Sequence, residues 1–450
     1  MRCKAIVLAL VVAAAPAGAA EFKAGVARKA ITPEGPIWMS GYAARTHASD
    51  GVVHDLWAKA LALQDEGGGR VVLVTLDLIG LPRELTSEIA SRVKKEHGLE
   101  RSQLVINCSH THSGPVVWPN LATMYDLLSP AERERLKDYG RRVADAVVSL
   151  VGAALADLAP ASLSAGRGSV GFAINRRRPT ASGVQIGVHP QGPVDHDVPV
   201  LKVAGPDGKI RAAVFGYACH NTTLGGDWYK INGDYAGFAQ IEVEKALPGT
   251  TAMFIILCGA DQNPAPRGTL ELAEQHGKSL AGEVVRVLSG PMTSVRPPIR
   301  TAYEEARLAF VPQDRAVFEK EAQSPDRFRK LRAKEMLAAI DAGRPVRELP
   351  LPVQVVRLGR DATLVALGGE VVVDYALRLK RELPDENLVV AGYTNEVPCY
   401  IPSLRVLREG GYEADSSMIY YGQPGPFTDA VEETVIAACR RLLDATRIRQ

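Results

Sequence analysis

Two imidazoles at i and i+2, His110 and His112, stand in the segment Ser109-His110-Thr111-His112-Ser113-Gly114-Pro115. Neutral imidazole is the commonest protein ligand for a transition metal. A close pair held beside a rigid Gly-Pro turn is therefore a candidate metal site. The pair follows an apolar run, Leu104-Val105-Ile106, that reads as a buried strand, and α/β folds gather ligands beyond strand ends. The same residues also fit a loop pair satisfied by backbone hydrogen bonds. His220 repeats the arrangement. It follows the strand-like Val214-Phe215-Gly216-Tyr217-Ala218-Cys219 and opens a polar, Gly-rich segment; a structural histidine is the alternative. Glu370 follows Leu364 to Leu367 and the pair Gly368-Gly369, where the backbone can approach another segment closely. Its carboxylate stands at the turn into an expected helix, Val371 to Arg381, whose dipole would also favour it. Tyr400 lies between Pro398 and Pro402, past an expected strand, Leu388 to Ala391. A cation would strip the phenol of its proton far below its free pKa of about 10, and a tyrosine packed under a Pro-rich loop fits equally.

Regular elements must carry these groups. Val71 to Leu76 reads as a β-branched buried strand ending at Asp77, followed by an amphipathic helix over Pro82 to Glu96. Ser129 as N-cap, Pro130 at N1 and Glu132 at N3 open a long helix running towards Leu158. Arg211 to Ala218 and Ala252 to Leu257 read as further strands. Gly277 to Leu288 and Asp429 to Ala445 read as helices, and Arg315 to Ala342 as a charged helix or helix pair forming a solvated face. Strand and helix alternate, so an α/β fold is expected: a mixed sheet with helices packed around it and the metal site at strand ends. Gly290 to Pro298 is the weakest boundary in what reads as one continuous unit.

The 450 residues are 46% hydrophobic and 23% charged, an ordinary globular composition that allows a large core. Met1 to Lys4 is a short basic start, Ala5 to Ala15 an apolar run, and Ala17-Gly18-Ala19 a small-residue cleavage pattern. Residues 1–20 are thus expected to be a signal peptide, with the remainder exported to the periplasm or beyond. The apolar run is too short to span a bilayer, so no transmembrane anchor is expected. The formal charge of +2 falls to near zero once Arg2 and Lys4 are removed. Without a basic stripe, nucleic acid is excluded as a partner. Cys108, Cys219, Cys258, Cys399 and Cys439 remain, an odd number that matches no thiolate zinc pattern and leaves room for one bridge.

The chain resembles the N-terminal catalytic domain of the neutral (non-lysosomal) ceramidase family. Gly25 to Pro33, Met39 to Ala43, Leu76-Asp77-Leu78, Ser109 to Pro115, Asn175-Arg176, His220, Gly233 to Gly237, Gly369-Glu370 and Tyr412-Glu413 occur in that family's order. The resemblance implies one zinc ion bound by His110, His220, Glu370 and Tyr400. It implies that His112 and Arg176 hold the scissile carbonyl, with Tyr412 in the same network, and it draws Asn175, Gln262 and Asn263 into substrate binding. The family's G-D-V-S-P-N loop corresponds to Gly259-Ala260-Asp261-Gln262-Asn263-Pro264, which has no serine. Residues 21–450 are expected to form the catalytic unit without the immunoglobulin-like domain of the lipid enzymes.

The expected activity is zinc-dependent hydrolysis of an N-acyl amide by zinc-activated water, with Asp261 or His112 moving the proton to the leaving amine. The expected substrate is a lipid or small acyl-amide. Acylated sugars, N-acyl amino acids or esters are the alternative substrates. A non-catalytic relative with a structural zinc is the alternative from another class.

Overall fold

The computed structural model describes residues 21–448; the expected signal peptide lies outside the described residues. Nine strands form the larger sheet: β1 (Phe22–Ala30), β2 (Trp57–Asp65), β3 (Arg70–Leu76), β4 (Leu104–Cys108), β5 (Ala159–Ser169), β6 (Asp197–Ala204), β7 (Ile210–Tyr217), β8 (Thr251–Ile256) and β9 (Thr293–Val295). Their order is β8-β7-β6-β5-β1-β2-β3-β4, with β9 pairing β5. The pairs β3–β4 and β7–β8 are parallel and the rest antiparallel. A second sheet is built from β10 (Ile299–Ala309), β11 (Glu348–Leu358), β12 (Ala362–Leu367) and β13 (Leu388–Ala391), in that order. The mixed-sheet α/β architecture expected from the alternation is the one observed. The Gly290 to Pro298 stretch is no linker, because its middle residues hydrogen-bond as β9.

Four layers result. Helices α1 (Arg83–His97) and α2 (Pro130–Ala156) cover one outer face of the large sheet, where Val72, Val74 and Ile106 meet Leu136, Val143 and Val147. α3 (Asp234–Ala246) and α4 (Leu270–Ser289) cover the β6–β8 region through Phe215, Phe254, Tyr235 and Leu280. Alternate residues on the opposite face, such as Leu61, Leu163, Val214 and Ile255, turn towards the second sheet's Val356 and Ala366. Each fully buried aliphatic side chain contributes about 1.5–3 kcal/mol. The capping box opens α2 as expected: Ser129 accepts from Glu132 N, and the Glu132 carboxylate accepts from Ser129 N.

The charged segment is a helix pair, α5 (Arg315–Glu321) and α6 (Arg327–Asp341). α7 (Asp374–Glu382) starts later than the pattern suggested. Glu370 therefore does not sit at a helix N-terminus; it belongs to a two-residue strand, Glu370–Val371, paired with Tyr400–Ile401. α8 (Leu404–Glu409) and α9 (Val431–Ala445) close the chain. Cys108, Cys219, Cys258, Cys399 and Cys439 are all buried and unbridged, so the one bridge their number left room for is not formed. No helix among the described residues is long and apolar enough to cross a membrane.

Candidate metal centre

The segments that follow β4 and β7 meet, although the strand order gives those two strands opposite senses. Past β4 comes His110, held by its N–H to Leu78 O (2.9 Å), beyond the neighbouring β3. Past β7 comes His220, held by its N–H to Gln262 O (3.0 Å), in the loop beyond β8. A bridge between Thr111 and Asn221 ties the two histidine segments together. His110 takes a φ of 62°, in the left-handed region that costs a non-glycine residue about 1–3 kcal/mol. From the second sheet, β12 leads through Gly368-Gly369 to Glu370. Gly369 has φ 77°, and a Cβ there would lie 2.6 Å from Ile401 Cγ1. The two glycines thus allow the Glu370 strand to lie against Tyr400, its direct register partner.

The functional atoms converge. Glu370 Oε2 lies 3.2 Å from His110 Nε2 and 3.0 Å from His220 Nε2. Tyr400 Oη is 3.4 Å from His220 Nε2, and His112 Nε2 is 3.1 Å from His110 Nε2. All five side chains are buried. His110 Nδ1 is 2.6 Å from the Ile79 carbonyl and His220 Nδ1 is 2.9 Å from the Gly259 carbonyl. A carbonyl can only accept, so both Nδ1 atoms carry the proton and both Nε2 lone pairs face the carboxylate. Burial and Arg176 push His220 down to about 4, and burial together with His110 and His220 pushes His112 well below its usual range. Burial alone would raise the Glu370 carboxyl; it is held below its usual range only with positive charge on the side of His110 and His220. Lone pairs and an anion gathered in a dry site repel one another unless a cation lies between them. Donors around a tetrahedral ion at about 2.0–2.1 Å stand ~3.3 Å apart, the spacing found here. The buried trio His110, His112 and His220 can hold a metal ion, and the carboxylate completes a donor set suited to zinc.

Behind Tyr400 stands Arg176. Its Nη2 donates to Tyr400 Oη (3.0 Å), its Nε to Glu413 Oε1 (2.8 Å) and its Nη1 to Asn263 Oδ1 (3.3 Å). The Arg176 guanidinium carbon also lies 5.8 Å from the Tyr412 ring centroid, and Tyr412 packs edge-on against Tyr400. Arg176, Asn263 and Tyr412 thus join the cluster. Asn175, Gln262 and Asp261 do not reach it. Asn175 Nδ2 donates to Pro193 O and Asp261 Oδ2, and its Oδ1 accepts from Arg177 N. Gln262 is engaged with Asp195 N and Ala218 O. Asp261 accepts from Val373 N (2.8 Å) and Asn175 Nδ2 (3.1 Å); burial and Asp374 push its carboxyl up to about 7. The side chains assigned to substrate binding at 175 and 262 are therefore spent holding the loop that carries the His220 and Arg176 contacts.

Sequence reasoning missed Tyr421, Tyr393 and the carbonyls of Ile79 and Gly259. Tyr421 Oη donates to Glu370 Oε1, and Tyr393 Oη lies 3.4 Å from Glu370 Oε2. Tyr393 follows β13 and takes a φ of 51°; only its place past a strand end could have marked it.

Residues 22–270, more than half of the chain, match the family described as neutral/alkaline non-lysosomal ceramidase, N-terminal. The neutral ceramidase of Pseudomonas aeruginosa is 26% identical over 235 residues, which is 50% of this chain and 33% of that protein. That of Mycobacterium tuberculosis is 23% identical over 274 residues, 58% of this chain and 40% of that protein. The matches thus span well under half of these relatives' own length. The crystal structure of the Pseudomonas aeruginosa enzyme shares the fold, with a TM-score of 0.70 at 16% identity over 94% of this chain and 75% of that one. Glu370 and Tyr400 lie beyond the residues matched to the family, yet the fold returns them to His110 and His220. With its histidine segments inside the matched stretch, the chain belongs to the neutral/alkaline non-lysosomal ceramidase family.

Proposed function

We propose that the chain hydrolyses an N-acyl amide with one divalent cation, zinc by its donor set, held by His110, His220, Glu370 and Tyr400. The convergence of two Nε2 lone pairs on the Glu370 carboxylate carries this reading. When bound, such an ion supplies Lewis acidity and lowers the pKa of water from about 15.7 to about 7. The protein's own groups do the rest. Arg176 is held by Glu413, Asn263 and Tyr400, so its charge is fixed before the substrate carbonyl develops negative charge. His112 is buried and unpartnered at Nδ1, which leaves that nitrogen free to take a proton and pass it to the leaving amine. Asp261 is the poorer candidate for that step because both of its oxygens are engaged. No serine is required.

Ceramide belongs to the substrate class, as do N-acyl amino acids and acylated amino sugars. The test is metal analysis with turnover assays across those three groups. About one equivalent of metal is expected, with amide cleavage that stops on chelation and returns with zinc. Undiminished turnover after complete metal removal would overturn the proposal, whereas bound metal without turnover on any amide would favour the structural-zinc alternative. Export of the mature chain belongs to the same proposal and rests on the leader-like first 20 residues.

A smaller perturbation isolates His112. Gly41 has φ 93°, and a Cβ built on it would lie 2.3 Å from His112 Nδ1. Gly41→Ala must push the ring aside. A displacement near 1 Å costs on the order of 10²-fold in rate, so kcat/KM is expected to fall about that far while metal content stays at the wild-type level. Unchanged kinetics would remove His112 from the reaction.

A further inference from the structure

Between the two sheets lies an apolar cavity of about 270 Å³ to which none of the clustered histidines or tyrosines contributes. It lies where facing side chains of the two sheets stop short of one another. Near the histidines, Leu257, Ala366 and Ala391 pack fully buried; further along the same faces Leu73, Leu201, Leu364 and Val389 remain partly exposed. These side chains point into the space between two sheets, where a well-packed protein has few voids larger than a water molecule. An empty apolar cavity destabilises the fold in proportion to its volume. A cavity of about 150 Å³ lined by such residues stays dry and takes up benzene, so the present one has room for roughly ten carbon atoms.

The rim carries one charge on the inward face. Ala161, Leu163, Ala165 and Arg167 alternate along β5 on the side turned to the second sheet. The Arg167 side chain is 33% exposed. Its Nη1 is paired with Asp197 Oδ2 at 2.6 Å. Its Nη2 has only neutral partners, Leu388 O at 3.0 Å and Asn387 Oδ1 at 3.3 Å. A carboxylate at the mouth would exchange the weaker of these for a charge-assisted bond. We propose that this cavity binds a medium-chain fatty acid, with the alkyl tail between the sheets and the carboxylate on Arg167 Nη2.

Calorimetric titration of the full chain with decanoate and with 1-decanol tests the proposal. Decanoate is expected to bind saturably with one equivalent in the cavity. Leu364→Trp, which fills the space, should weaken it at least tenfold; Ala165→Leu serves if that variant does not fold. Arg167→Gln should weaken decanoate at least tenfold and leave decanol within twofold. His110→Ala should retain the binding, which separates this cavity from the metal centre. The proposal is overturned by absence of saturable decanoate binding, by wild-type affinity in both cavity-filling variants, by an unchanged decanoate affinity in Arg167→Gln, or by binding that disappears with His110.

Discussion

Replacing His110 by alanine is expected to remove the bound metal and the activity together, with turnover falling by at least ~10³-fold. His110 Nε2 is the hub of the cluster: it stands 3.2 Å from Glu370 Oε2 and 3.1 Å from His112 Nε2. Its ring is fixed by the Ile79 carbonyl, and its backbone is held at φ 62° by surrounding hydrogen bonds. The informative control is His112→Ala. His112 Nε2 is near enough to serve as a further donor, but it has no partner that orients its Nδ1, unlike either His110 or His220. That difference separates ligands from a proton carrier, since ligating histidines use the second nitrogen to fix the ring. His112→Ala should therefore keep one equivalent of metal and lose turnover. Elemental analysis beside a hydrolysis assay reads both quantities. If His110→Ala keeps its metal, the assignment of His110 as a ligand is wrong.

The sequence displayed the centre's parts but not all of their geometry. His110 and His220 were visible because each follows a short apolar run, but β4 and β7 run in opposite senses in the sheet, so the strand pattern alone could not bring the two ends together. Gly368-Gly369 announced a close approach, and the segment approached is the one carrying Tyr400. Glu370 was misplaced locally. Its carboxylate next to a helical pattern suggested a helix N-terminus, but pairing with Tyr400–Ile401 delays α7 to Asp374. The roles of Asn175 and Gln262 could not be read, because amide side chains serve a loop or a ligand equally well and only their partners decide. Tyr421 lies 51 residues beyond the Glu370 it contacts, in a segment without periodic pattern. The two-sheet arrangement was also hidden, since an inward-facing strand residue looks the same whether it meets a helix or another sheet.

The buried ion triad behind the centre leads to the second large effect. Glu413 Oε1 accepts from Arg176 Nε at 2.8 Å and Oε2 from Arg177 Nη1 at 2.6 Å. The Glu413 side chain is 1% exposed, as is that of Arg177. One carboxylate thus compensates two guanidinium groups in a dry interior, and the only other carboxylate on Arg177 is the part-exposed Glu409, beside the Gly410 carbonyl. Glu413→Gln keeps the shape and removes the charge. Breaking a buried pair from one side costs about 3–5 kcal/mol, because the abandoned cations stay desolvated. The urea midpoint at neutral pH should fall accordingly, and turnover should fall with it as Arg176 loses its clamp, while metal content stays unchanged. The pH dependence gives a second signature. Burial pushes the Glu413 carboxyl up, but Arg176 and Arg177 outweigh it and hold the group below its usual range. Its contribution is therefore complete above the unfolded carboxyl pKa of about 4.3 and disappears as pH drops through the lower folded value. The gap between wild type and Glu413→Gln should be full at pH 7 and shrink below about pH 4. Equal midpoints at pH 7 would mean that the triad is not stabilised by this carboxylate, and the fixed position assigned to Arg176 would lose its physical cause.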